Sequence, residues 1–198
     1  LVTGSAGFIG FHVSKGLLSD GEEVIGLDSV NDYYSQELKW DRTGILEEDD
    51  DFTFYHQDLC DLESLEELFE KEERGRMWGL GGRGGVGYSV ENAHAYGRSN
   101  LEGFTNIREM SRHNDVDNLV YASSSSVYGG NEKIPYSVGD EIIKPVSYYA
   151  ATKVANEVIA HSYSHLYDVP CTGLRFFTVY GPWGRPDMAM FKFTDLIV

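Results

Sequence analysis

The chain has 198 residues, 41% of them hydrophobic and 24% charged, an ordinary composition for a protein that buries one sizeable core. Acidic side chains outnumber basic ones 32 to 16 and the formal charge is -16, which argues against a nucleic-acid or anionic-membrane surface; any anionic ligand must be held locally. No run approaches the roughly 20 apolar residues of a membrane span, and no basic-then-apolar leader opens the chain, so one main domain in the cytoplasm is expected. Cys60 and Cys171 lie far apart without a Cys-x-x-Cys partner and read as reduced structural residues; no metal is expected.

Strand-like and helix-like segments alternate, the pattern of a parallel sheet with crossover helices on both faces. Residues 1–3 end a first strand, 8–19 form a helix, 23–27 a second strand and 34–46 a helix. Residues 52–57 alternate like a strand, and 62–72 form a helix with Leu62, Leu65, Leu68 and Phe69 on one face. A long helix is predicted over 92–113, a strand over 118–122, a second long helix over 147–167, and a strand over 171–176. Between them, residues 74–87 hold seven glycines among fourteen positions, and this composition resists the fourth strand that the alternation leaves room for. The chain opens inside a strand and stops inside the helix-like run 187–194, so both ends read as cut. The fold expected is α/β, a doubly wound parallel sheet of Rossmann-like type.

Residues 3–10, TGSAGFIG, space Gly4, Gly7 and Gly10 at every third position, directly after a strand end and before an apolar helix. The first glycine permits a tight turn, the second lets a diphosphate approach the backbone, and the third lets helix and strand pack closely with the helix N-terminus facing the phosphates. Asp28 closes the second strand 18 residues beyond Gly10, where its carboxylate can accept hydrogen bonds from ribose hydroxyls and repels a 2'-phosphate. NAD is favoured over NADP. Asp58, followed by Leu59, ends the third strand and could flank an adenine; a helix N-cap at Asp58 or Asp61 explains it equally well. Asn100 reads either as a group reaching the sheet's carboxyl edge or as part of a polar helix face.

Tyr149 and Lys153 stand four residues apart, which puts a phenol and an ammonium on one helix face. A phenol with its ordinary pKa near 10 is a poor base at neutral pH, and a nearby cation lowers it. Upstream, residues 121–129, YASSSSVYG, carry a strand into a hydroxyl-rich loop at the edge where such sheets bind ligands.

Through TGSAGFIG, Asp28, Asp58-Leu59, SSSSVYG, YAATK and LRFFTVYGP, the sequence resembles the extended short-chain dehydrogenase/reductase family over nearly its whole length. Within that family it is most similar to nucleotide-sugar epimerases of the UDP-glucuronate 4-epimerase kind, through residues 28–34, 88–92 and 176–186. The resemblance implies Tyr149 as general base, Lys153 as its partner that also holds the nicotinamide ribose, and Ser124 as the hydroxyl orienting the sugar. It implies NAD contacts from Gly4, Gly7, Phe8, Ile9, Gly10, Asp28, Asn31, Asp58, Leu59, Asn100 and Phe176, and sugar contacts from Ser125 and Ser126. Thr178 and Arg185 fall where it puts contacts to a sugar carboxylate, although Arg185 also reads as a loop cation near Asp187. The family's dehydratases carry an acid just before Val-Tyr-Gly, where this chain has Ser125 and Ser126, so elimination lacks its acid. The chain departs from the family at residues 79–83, where His-Leu-Ala-Ala-Gln is usual, and at Gly87, where an Arg is common. The expected activity is epimerisation of a UDP-sugar through a transient 4-keto intermediate, in a homodimer formed by the two long helices. A UDP-glucose/galactose 4-epimerase and an inactive cofactor-binding scaffold lacking the C-terminal substrate region are the alternatives.

Overall fold

The computed structural model describes residues 1–72 and 75–197, and it divides into two compact units, Leu1–Gln57 with Thr178–Val198, and Asp58–Phe177. In the first unit, β1 (Val2–Thr3), β2 (Val24–Asp28) and β3 (Phe52–His56) run parallel in the order β3-β2-β1. Helix α1 (Phe8–Ser19) links β1 to β2, and α2 (Gln36–Leu46) links β2 to β3. All five residues of β2 are buried, as expected of a parallel strand covered on both faces. It runs through Asp28, one residue further than predicted. Helix α2 begins two residues later than predicted because the Ser35 hydroxyl accepts the Leu38 N–H and caps it.

The second unit opens with α3 (Leu62–Lys71), capped by Asp61, whose carboxylate takes the Ser64 N–H. Of the predicted apolar face, Leu65, Leu68 and Phe69 are buried while Leu62, in the first turn, is exposed. A fourth strand follows: β4 (Arg76–Gly79) pairs in parallel with β5 (Asn118–Ser124), which pairs with β6 (Cys171–Phe176). The expectation that residues 74–87 form no strand is therefore corrected; Arg74 itself lies outside the described residues. Four residues suffice because pairing with β5 supplies the hydrogen bonds, and Met77, 0% exposed, supplies the packing that glycine cannot.

The long helix predicted over 92–113 runs without a gap from Ala93 to His113, as α5 (Ala93–Tyr96), a π-helical turn over Gly97–Glu102 and α6 (Gly103–His113), and a separate short helix, α4 (Val86–Glu91), precedes it. Asn92 starts α5 by accepting the Ala95 N–H, and the π-helical turn between Gly97 and Gly103 carries Asn100. After β5, a 3-10 turn (Ser125–Tyr128) precedes α7 (Tyr148–Tyr167), which Ser147 caps. Helix α8 (Ala189–Ile197) belongs to the first unit and has no buried residue. No helix among the described residues is long and apolar enough to cross a membrane.

Candidate active site

In the first unit the glycine turn has the geometry its spacing implies. Gly4 adopts φ 73°, open to glycine, and a Cβ on Gly10 would stand 2.0 Å from the Gly4 carbonyl oxygen. Side chains there would push α1 off β1. Phe8 and Ile9 begin α1, whose first N–H groups have no intrahelical acceptor, and Gly7 caps it without a side chain. The cradle fits a phosphate approaching the backbone.

Asp28 is buried at the end of β2, and its Oδ1 accepts the Val30 N–H at 2.8 Å. Burial raises its pKa, opposed by the Val30 bond and the nearby Lys39 ammonium. Asn31 turns inward on its own loop: its Oδ1 accepts the Tyr33 N–H at 3.2 Å and the Lys39 ammonium at 3.1 Å. Thr178 is exposed. Arg185 forms a two-pronged ion pair with Asp187, Nε to Oδ1 at 2.9 Å and Nη2 to Oδ2 at 2.5 Å, and lies over the rings of Tyr33 and Tyr34. A substrate carboxylate at Arg185 would have to displace that of Asp187.

In the second unit Tyr149 and Lys153 occupy the first turns of α7. Lys153 is 6% exposed; its Nζ donates to the Ala122 carbonyl of β5 at 2.8 Å, and no carboxylate pairs with it among the described residues. Burial lowers its pKa to about 8, so the amine is still protonated at neutral pH. The Tyr149 ring meets that of the buried Tyr96 edge-on, with centroids 6.0 Å apart. Ser124 ends β5 beside Phe176 of β6, and its Oγ accepts the Ser126 N–H, which leaves its O–H to donate. Ser125 and Ser126 form the following 3-10 turn.

Asn100 is fully committed within the unit. Its Oδ1 accepts the Arg83 N–H at 2.7 Å, and its Nδ2 donates to the Arg83 carbonyl at 3.0 Å and to Thr152 Oγ1 at 3.1 Å. Tyr96 OH lies 2.9 Å from the Gly85 carbonyl and 3.2 Å from that of Gly84. The glycine-rich stretch is thus tethered at three consecutive residues. Asp58 is not the cap of α3; it accepts the Cys60 N–H and pairs with Arg98 at 3.1 Å on the surface. The Leu59 carbonyl takes the Asn106 amide at 2.8 Å.

Sequence reasoning missed Lys39, Arg42 and Tyr96. A signal for the first two existed: Lys39, Arg42, Thr43 and Leu46 recur at helical spacing on the buried face of α2, so two cations occupy core positions.

A glycine turn feeding a helix with an acid ending the next strand in the first unit, and a Tyr-Lys helix beside a hydroxyl-bearing strand end in the second, are features of a Rossmann-like α/β protein. The model of the NAD dependent epimerase/dehydratase family matches residues 1–197, and the chain belongs to that family. It is 54% identical to Protein CapI of Staphylococcus aureus over 198 residues, covering 100% of this chain and 59% of that protein. It is 48% identical over 197 residues to a probable UDP-glucuronate 4-epimerase of Rhizobium meliloti (strain 1021), covering 100% of this chain and 58% of that protein. Among solved structures, UDP-glucuronic acid 4-epimerase from Bacillus cereus in complex with UDP-glucuronic acid and NAD superposes with a TM-score of 0.89 at 32% identity, covering 99% of this chain and 62% of that one. The expected Rossmann-like α/β fold is borne out, and the chain spans less than two thirds of these relatives.

Proposed function

We propose that the protein is an NAD-dependent nucleotide-sugar 4-epimerase acting on UDP-glucuronate and UDP-galacturonate. The observation that carries this reading is the buried Lys153 ammonium, fixed to the Ala122 carbonyl one helical turn beyond Tyr149 and bonded to no acid among the described residues. Such a cation stabilises a phenolate, which makes Tyr149 a usable base. Tyr149 takes the proton of the sugar's 4-hydroxyl, while the O–H of Ser124 orients that oxygen. Bound NAD accepts the hydride from carbon 4 and returns it to the opposite face of the resulting 4-keto sugar. The glycine turn with Phe8 and Ile9 holds the diphosphate, and Asp28 takes the adenosine ribose and disfavours NADP. Ser125 and Ser126, in place of an acid, leave no group to drive elimination.

Thr178 and Arg185 are assigned to the uronate carboxylate, with Asp187 as the competitor the substrate must displace. The existing Arg185–Asp187 pair also favours a second reading, a neutral UDP-glucose/galactose substrate that leaves the pair intact. A homodimer through α6 and α7 belongs to the same proposal; Val158 and Leu166 lie exposed on α7. The test is Tyr149→Phe in the whole protein, assayed with UDP-glucuronate and UDP-glucose for epimer formation. Loss of at least about a hundredfold in kcat with NAD still bound is expected; retained activity refutes the assignment, and faster turnover of UDP-glucose selects the second reading.

A further inference from the structure

Arg42, in the middle of α2, is 0% exposed. Its Nη1 donates to the Ala6 carbonyl at 2.9 Å and to the Tyr34 hydroxyl at 2.8 Å. Nε and Nη2 donate to the Trp183 carbonyl at 3.2 and 2.7 Å, and Nη2 also reaches the Gly184 carbonyl at 3.3 Å. Every acceptor is neutral, and no carboxylate pairs with Arg42 among the described residues. A buried cation without an anion is unfavourable, and proteins pair such groups. The neighbouring charges are matched: Lys39 acts on Asp28, and Arg185 is paired with Asp187. Lys39, Arg42 and Arg185 all surround the ring of Tyr34, at 4.4, 5.6 and 5.8 Å from its centroid. One positive charge is therefore left over, and it is bonded to the peptide between Ala6 and Gly7, inside the phosphate turn.

We propose that Arg42 serves the bound dinucleotide in two ways: its cation balances the diphosphate on the glycine turn, and its rigid fork fastens the Trp183–Gly184 loop, and with it Arg185, to that turn. The inference rests on the NAD-dependent reading above and adds a positioning residue to it. The fork explains why the side chain is an arginine, since one planar group reaches two chain segments in fixed directions where a lysine offers a point charge. Trp183 holds a φ of 60°, which a non-glycine residue keeps only when its surroundings fix it, and two Arg42 donors bind its carbonyl.

Arg42→Lys and Arg42→Met in the whole protein separate the two roles from a merely structural one. NAD and adenosine, which lacks phosphate, are titrated into each cofactor-free protein well below its melting temperature. Arg42→Met is expected to weaken NAD about tenfold and adenosine by less than about twofold, while Arg42→Lys keeps NAD affinity close to the parent's. Arg42→Lys is expected to raise KM for UDP-glucuronate about tenfold with kcat within about twofold, because the charge is kept and the loop is not. Equal NAD affinity in all three proteins overturns the charge role, as does an adenosine loss equal to the NAD loss. An unchanged KM in Arg42→Lys overturns the loop role. Failure of the parent protein itself to bind NAD overturns the NAD-dependent reading and this inference together, an outcome distinct from all the others.

Discussion

Replacing Lys153 by Met is expected to stabilise the cofactor-free protein while removing the epimerase activity proposed for it. Burial moves the ammonium from its ordinary 10.5 to about 8, which corresponds to about 3 kcal/mol of unfavourable burial of the charged form. The sign follows from proton counting. Below about pH 8 the amine is charged in the folded and unfolded chains alike, and the folded chain carries the whole cost. Between about 8 and 10.5 the folded amine has lost its proton and the unfolded one has not, so stability rises with pH across that window. Methionine is similar in volume and carries no charge, but it forfeits the hydrogen bond to the Ala122 carbonyl, a loss of about 1 kcal/mol. The net expectation at pH 7 is a gain of about 2 kcal/mol, or roughly 4–8 °C in Tm for a chain of this size. Urea titrations of both proteins between pH 6.5 and 10.5 measure it, because other titrating groups cancel in the difference. The gap should be constant at low pH and shrink by about 1.4 kcal/mol per pH unit above about 8. A pH-independent gap, or a variant less stable than its parent at pH 7, refutes the reasoning.

Two further outcomes follow from the first unit. Gly10→Ala places a methyl 2.0 Å from the Gly4 carbonyl oxygen, so α1 must move off β1; a loss of roughly 3 kcal/mol or more in chemical denaturation, with NAD binding abolished, is expected. Asp28→Ser removes the charge that opposes a 2'-phosphate, and the ratio of NADP to NAD affinity should rise at least about tenfold by titration.

The elements that the sequence specified well are those whose local chemistry and packing agree. TGSAGFIG states a backbone requirement, and the Cβ clash at Gly10 is that requirement in the structure. Ser35, Asp61 and Ser147 cap their helices by short-range bonds that composition foreshadows. Strand β4 was hidden because its hydrogen bonds come from β5, some forty residues away, and nothing local in Arg76–Gly79 favours extension. The π-helical turn within the long helix was hidden likewise: Asn100 is drawn inward by the Arg83 backbone and Thr152, partners distant in sequence. Arg185 shows the converse case. Its nearness to Asp187 was visible as spacing, yet only the structure shows both prongs of the guanidinium engaged.

The strongly acidic composition set a condition that the structure meets in a particular way. A chain of formal charge -16 repels anions at long range, although salt screens that field beyond about 8 Å at physiological ionic strength. Attraction must then come from cations that water cannot screen, and both Arg42 and Lys153 are of that kind: each is buried and, among the described residues, donates to neutral oxygens. An exposed cation such as Lys133 contributes less, because water and salt screen it and Asp140 already pairs with it at 2.6 Å. The burial expected to make Lys153→Met a stabilising change is the same burial that keeps the Lys153 ammonium from being screened by solvent.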